Sequence, residues 1–209
     1  MAEEESNYSI MVTYKCNWHC NYCITNTHEQ PDISFYELKK KVDSIPPNER
    51  VSLSGGEPAL LDKDSMYYAF YTLRDKGCII NVNTNGLFFE KYPELVPQCD
   101  NIYYHSTENL DKEKGIKLYD SIDYDKTDFM MVVTDKNMQN LEWFLDEYPD
   151  ILFKIQGASE SMVMGKMGDK LSKINGIRIY QKYKDRIHPS SYIFLLEECR
   201  TVKNKMERV

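Results

Sequence analysis

The chain has no run of roughly 18 consecutive apolar residues without a charge, the length a membrane-spanning helix requires, so no membrane partner is expected. Its first residues, Met1-Ala2-Glu3-Glu4-Glu5-Ser6, are acidic and lack the basic, then apolar, order of a secretory signal. Export is therefore not expected, and a reducing cytoplasm, where thiols persist, is the expected location. Positive charge is also short: the formal net charge is −7, which does not suit a surface that tracks phosphate backbones, and nucleic acid is not expected as a partner. The basic residues Arg200, Lys203, Lys205 and Arg208 read as a solvated helix face. Neither an internal repeat nor a low-complexity linker is visible, so nothing marks a second domain. With 209 residues and 42% apolar content, one core and one domain over 1–209 are expected. Cys78, Cys99 and Cys199 stand singly, which gives no second set of closely spaced ligands and suits small buried apolar residues.

The remaining cysteines are close together. Cys16-Asn17-Trp18-His19-Cys20-Asn21-Tyr22-Cys23 follows an apolar stretch, Ile10-Met11-Val12, that reads as a first strand. Three thiolates satisfy three corners of a cubane iron–sulfur cluster and leave the fourth iron open to an outside ligand. They could also, with His19 or His28, make a tetrahedral structural zinc site in a binding module.

Short β-branched and aromatic runs alternate with helix-like segments, the pattern of parallel strands joined by crossover helices. Strands are predicted near 8–13, 50–54, 78–83, 101–105, 128–133 and 151–155. Helices fit between them: Ser34 caps 35–44, Asp62 or Asp64 starts 64–76, and 137–147 carries Met138, Leu141, Phe144 and Leu145 at helical spacing. A complete eight-unit barrel takes about 250 residues, so six units within about 160 predict an α/β fold, a partial (β/α)6 barrel with a parallel sheet and outer helices. The barrel core is placed at about 8–160. Beyond it the pattern weakens: Gly165, Gly168 and Gly176 punctuate a polar stretch, and Tyr192 to Leu196 is one apolar run, strand or helix. This segment, about 161–209, is expected to close one side of the barrel.

Barrels of parallel strands gather their functional groups at the C-terminal strand ends. The cysteine loop lies after strand one, and Gly55-Gly56-Glu57-Pro58 lies after strand two (Val51-Ser52-Leu53-Ser54). Two glycines there let the backbone approach a ligand closely, and Glu57 offers a carboxylate.

The spacing C-x3-C-x2-C, with Tyr22 as the aromatic residue before the last cysteine, followed by a GGEP turn after the second strand, resembles the radical S-adenosylmethionine (SAM) superfamily. The resemblance implies that Cys16, Cys20 and Cys23 hold a 4Fe–4S cluster and that the Gly55, Gly56, Glu57 turn binds the methionine end of SAM. It places Tyr22 near the adenine. Asn83, at the end of strand three, and Asn85, in the Thr84-Asn85-Gly86 turn that follows it, are candidates for ribose or methionine contacts, equally readable as local turn hydrogen bonding. Ser106, after His105 at the end of strand four, is the polar residue set against SAM. Gln156 lies in Lys154-Ile155-Gln156-Gly157-Ala158-Ser159-Glu160, which looks like the superfamily's adenine-contacting pattern, although Phe153 stands where its first glycine belongs. Trp18 and His19 fall in the loop that wraps the cluster and are expected to shield it.

The implied chemistry is one-electron cleavage of SAM to a 5′-deoxyadenosyl radical, which abstracts hydrogen from substrate. A flavodoxin or ferredoxin is the implied electron donor. The substrate is a small molecule if the chain is similar to 7-carboxy-7-deazaguanine synthase, or a partner protein if it is a glycyl-radical-enzyme activase. Thr25 stands where the synthase has a threonine that helps bind Mg2+, with Ile24 in place of the usual aspartate. A peptide-modifying role is disfavoured, because the C-terminal cysteine-rich extension common in that group is missing. No single catalytic side chain is identified.

Overall fold

The computed structural model of the protein describes residues 8–20, 23, 31–105, 126–157 and 171–191, and for 156, 157 and 190 the backbone alone. Six strands follow one another in the sheet in chain order: β1 (Tyr8–Thr13), β2 (Arg50–Gly55), β3 (Ile79–Thr84), β4 (Asn101–His105), β5 (Thr127–Val133) and β6 (Phe153–Gly157). Every described register is parallel, as the alternation of strand and helix patterns requires. The described helices are α1 (Phe35–Ser44), α2 (Lys63–Asp75), α3 (Leu87–Lys91), α4 (Met138–Glu147) and α5 (Lys173–Tyr183). No described helix is long and apolar enough to cross a membrane. The chain divides into two compact units, with β1 to β4 in the first and β5, from Asp128 onward, with β6 in the second.

In the first unit, α1 starts on a capping box. The Ser34 hydroxyl accepts from the Glu37 N–H at 3.3 Å, and the Glu37 carboxylate accepts from the Ser34 N–H at 2.9 Å. Leu38 and Val42, four apart, face the core. The Asp62 carboxylate caps α2 by accepting from the Ser65 N–H at 2.9 Å, and Met66, Ala69, Phe70 and Leu73 form its buried stripe. The strands have two different faces. Ile10 and Val12, Val51 and Leu53, Ile80 and Val82, and Ile102 are buried in one core with these helix residues. The alternate residues are Ser9 and Met11, Ser52 and Ser54, Asn81 and Asn83, and Tyr103 and His105. They fall in cross-strand rows, with Ser9 beside Ser52, Ser52 beside Asn81, and Asn83 beside Tyr103.

The second unit is built around Phe153 of β6, whose ring lies 5.9 Å from Phe129 of β5 and 6.1 Å from Phe144 of α4. Ile179 of α5 is fully buried in the same unit, and Ile187 pairs with Phe153 as an isolated parallel bridge. The His188 N–H donates to the Phe153 carbonyl at 2.8 Å, and the Ser191 hydroxyl accepts from the Ile155 N–H at 2.7 Å, so residues 187–191 satisfy backbone groups of β6. Arg186 donates to the carbonyls of Leu145 at 3.0 Å, Ile151 at 3.1 Å, and Tyr148. These are carbonyls at and beyond the end of α4, which that helix leaves without an internal donor.

Two expectations need correction. The strand predicted at 151–155 runs from Phe153 to Gly157, because Ile151 still belongs to the turn that leaves α4, its N–H donating to the Tyr148 carbonyl at 3.3 Å. The stretch punctuated by Gly176 contains helix α5, in which Gly176 is buried on the same stripe as Ile179 and Tyr183, so this glycine sits inside the element instead of ending it. The apolar run Tyr192 to Leu196 lies outside the described residues.

Replacing Arg186 with alanine removes one donor from each of three carbonyls, of which that of Tyr148 keeps the Ile151 N–H. The variant is expected to be less stable by about 2 kcal/mol, as read by urea denaturation monitored at Trp143.

Candidate functional site

The turn after β2 is packed directly against the chain leaving β1. The Gly56 N–H donates to the Thr13 carbonyl at 2.9 Å, and the Glu57 N–H donates to the Lys15 carbonyl at 2.8 Å. A Cβ on Gly55 would stand 2.3 Å from the Thr13 oxygen, and Gly55 has φ +135°. On Gly56 it would stand 2.0 Å from the Lys15 oxygen and 2.6 Å from its carbon. The space that the two missing Cβ atoms leave is filled by the protein's own backbone immediately before Cys16.

Glu57 differs from expectation. Its side chain is 1% exposed and its carboxylate is held by donors of the protein itself. Oε1 accepts from the Ala59 N–H at 3.1 Å and the Thr84 hydroxyl at 2.8 Å, and Oε2 accepts from the Asn85 N–H at 2.7 Å. Burial pushes its pKa up to about 7, against the downward pull of the same three donors and, more weakly, of the Lys91 charge. Thr84 extends the link, its oxygen accepting from the Gly86 N–H at 3.0 Å and the Phe88 N–H at 3.3 Å. Glu57 thus joins the turn after β2 to the turn after β3.

The turn after β3 reaches the cysteine loop. Asn85 Nδ2 donates to Asn17 Oδ1 at 2.8 Å, while Asn85 Oδ1 accepts from the Leu87 N–H at 3.3 Å in a local turn. Asn83 donates through Nδ2 to the Ser52 hydroxyl at 2.8 Å, across β2 and β3. The loop's own geometry adds a contact to sulfur: the Trp18 N–H donates to Cys16 Sγ at 3.4 Å. Cys16, Cys20 and Cys23 are half-buried thiols, and the Cys23 N–H donates to the Cys20 carbonyl at 3.1 Å in a turn. Trp18 is half-buried and His19 is exposed.

Asp32 ties the two ends of the loop segment. Its Oδ1 accepts from the Thr13 hydroxyl at 2.7 Å and the Tyr14 N–H at 2.9 Å, and its Oδ2 lies 2.9 Å from Lys15 Nζ. Burial raises its pKa, but the bonds from Thr13, Lys15, Tyr14 and Ile33 outweigh burial and hold the carboxyl below the usual range. The ion pair itself contributes little, because Lys15 is 63% exposed.

Tyr22, Thr25, His28 and Ser106 lie outside the described residues, and Gln156 is described only as backbone in β6. His105 ends β4, and burial lowers its pKa to about 4, so the imidazole is neutral near pH 7. Thr13, Asn17, Asp32 and Thr84 were given no role in the sequence. Thr84 stands inside a recognised turn and could have been suspected. Asp32 could not, because its link to Thr13 spans a |i−j| of 19 with no periodic signal.

The sequence pattern of the Radical SAM superfamily matches residues 10–129. The chain belongs to that superfamily. An S-adenosylmethionine-dependent nucleotide dehydratase of Selenomonas ruminantium is 27% identical over 92 residues, covering 43% of this chain and 32% of the dehydratase. A GTP 3′,8-cyclase of Actinobacillus pleuropneumoniae is 31% identical over 98 residues, covering 43% of this chain and 28% of the cyclase. The chain therefore spans about a third of the length of these relatives. SuiB of Streptococcus suis bound to its precursor peptide SuiA superimposes with a TM-score of 0.60 at 16% identity, over 91% of this chain and 46% of SuiB. SuiB bound to S-adenosylmethionine gives 0.56 at 17% identity, over 89% and 47%. This likeness establishes the fold, an open α/β arrangement of the partial-barrel type.

Superfamily membership implies SAM and a 4Fe–4S cluster. The donor set fits the cluster: three thiols lie in one short loop, and the first has an N–H directed at its sulfur, a contact of the kind that tunes a cluster's potential. Among the described residues no three His, Cys, Asp or Glu side chains converge as ligands of a single ion.

Two outcomes are expected. Gly56→Ala forces the Lys15 carbonyl away and lowers stability by about 3 kcal/mol in thermal or urea unfolding. For Glu57, both folded and unfolded states hold the proton below pH 4.5, and only the folded state holds it between 4.5 and about 7. Stability from this group is thus full at low pH and falls by up to ~1.4 kcal/mol per unit as pH rises through that window. In Glu57→Gln this dependence disappears, so the stability of wild type minus variant is expected to drop by about 3 kcal/mol from pH 4 to 8. A difference independent of pH would contradict the assignment.

Proposed function

We propose that this chain is a radical SAM enzyme in which Cys16, Cys20 and Cys23 hold a 4Fe–4S cluster, and that it acts on a small polar molecule of nucleoside size, as in the 7-carboxy-7-deazaguanine synthase type. The observation that carries the reading is the cysteine loop itself, whose leading segment is bonded to both glycine-bearing turns at the C-terminal ends of β2 and β3. That is the strand end where barrels of parallel strands do their chemistry. When bound, cluster and SAM together supply a carbon-centred radical able to remove hydrogen from an unactivated position.

The chain's own residues position and select. The Gly56 and Glu57 amides fix the backbone before Cys16, and the buried Glu57 carboxylate keeps the turns after β2 and β3 in one arrangement. On the sheet face opposite the apolar core, Ser52, Ser54, Asn83, Tyr103 and His105 provide hydroxyl, amide and neutral imidazole groups and no fixed charge. Such a surface suits a heterocycle or sugar that both donates and accepts hydrogen bonds. The names of the dehydratase and the cyclase support the same substrate class, since both refer to nucleotides. The electron donor is a flavodoxin or ferredoxin, in keeping with a reducing, cytoplasmic location where the thiols stay available.

Protein purified and reconstituted without oxygen is expected to be brown, with iron and sulfide in equal amounts, and to release 5′-deoxyadenosine from SAM under strong reductant. Cys20→Ala is expected to lose both cluster and SAM cleavage. Colourless protein carrying one zinc, or continued 5′-deoxyadenosine release by the variant, would overturn the proposal.

A further inference from the structure

We infer that the Asn17–Asn85 side-chain pair is a latch that positions Cys16 from its C-terminal side and, through it, sets the reduction potential of the cluster. The inference rests on the reading of Cys16 as a cluster ligand. Residues 13–15 are held by Asp32 and by the turn after β2. The Thr13 and Lys15 carbonyls, before Cys16, accept from Gly56 and Glu57. After Cys16 the described contact is that of Asn17 Oδ1, which accepts from Asn85 Nδ2 at 2.8 Å. Asn85 is itself fixed twice, by its N–H to the Glu57 carboxylate at 2.7 Å and by its Oδ1 to the Leu87 N–H at 3.3 Å. The side-chain amide that reaches Asn17 is therefore held at its own oxygen by Leu87, on a residue whose backbone N–H is anchored to a buried carboxylate.

The Trp18 N–H points at Cys16 Sγ at 3.4 Å only while the backbone between them keeps its turn. Asn17 is the residue between the two. Holding its side chain limits rotation of that turn, and with it the direction of the N–H toward sulfur. Hydrogen bonds to cluster sulfurs favour the reduced, more negative state and raise its potential. Releasing the latch should therefore make the cluster harder to reduce without removing any ligand. Asn83 and Asn85 were both candidates for contact with SAM; for Asn85 the geometry assigns a positioning role instead.

The test uses the full chain, metal-free and cluster-loaded, with Asn17→Ala, Asn85→Ala, the double variant and Asn17→Asp. Aspartate retains an acceptor for Asn85 Nδ2 and should keep the latch. In metal-free protein, exchange of the Trp18 amide is expected to speed up about fivefold in each alanine variant, the effect of losing one modest hydrogen bond. In loaded protein, both single variants should keep full iron and sulfide and shift the midpoint potential to the same more negative value. The double variant should go no further, and Asn17→Asp, whose added charge itself lowers the potential, should keep the wild-type exchange rate of the Trp18 amide in metal-free protein. Unchanged exchange and potential in the single variants, or effects that add in the double variant, would overturn the latch. Should wild-type protein take up no cluster, the reading of Cys16 falls, and the exchange measurement alone still decides whether the pair holds the loop.

Discussion

The structure of the site depends on one close approach, that of the turn after β2 to the backbone leaving β1. At Gly55 and Gly56 the space of a side chain is occupied by the carbonyls of Thr13 and Lys15. Two amide bonds make this contact favourable, and the missing Cβ atoms make it possible. Because Lys15 directly precedes Cys16, any displacement of this turn moves the first candidate cluster ligand. The second layer is electrostatic. A carboxylate that is 1% exposed carries an unfavourable desolvation, offset by three donors drawn from its own turn and from the turn after β3. Glu57 is best understood as an internal fastener between loops that must agree in position.

Much of this was legible in the sequence, but not in the sense first attached to it. The strands were readable because Ile10 and Val12, Val51 and Leu53, and Ile80 and Val82 alternate with polar residues, and the start of α1 because serine and glutamate sit at capping-box spacing. The superfamily was readable because the spacing of the three cysteines is a local pattern. What sequence does not show is what a group faces. Two glycines imply close approach without saying to what, and a glutamate after them could have pointed outward as easily as inward. Asn85 was a candidate for SAM; its side-chain amide bonds to Asn17 and Leu87, and the first of these partners is one that only the folded backbone brings within reach. Helix α5 was missed because Gly176, weak in helix propensity, occupies a buried position where a larger side chain would have marked the stripe.

The division of labour between the sheet faces explains why an acidic chain rich in polar residues forms a firm scaffold. In the first unit, the apolar halves of β1 to β4 meet Leu38, Val42, Phe70 and Leu73 in one core, and hold stability there. The polar halves then contribute little to that core and can carry recognition. Ser52 and Asn83 already bond to each other, which fixes the rotamer of each without filling every donor and acceptor. A pre-ordered face of this kind loses little conformational entropy when a ligand arrives.

Asp32 has a consequence for how the segment around the cysteines can change over time. By accepting from Thr13 and Tyr14 it closes a chain circuit with |i−j| of 19 and 18, so the ends of that circuit are fixed whatever lies between them. The entropy of closing such a circuit rises only slowly with its length, by about 0.6 kcal/mol per doubling. Insertions or deletions between the last cysteine and Asp32 are thus thermodynamically inexpensive and leave the mouth of β1 in place.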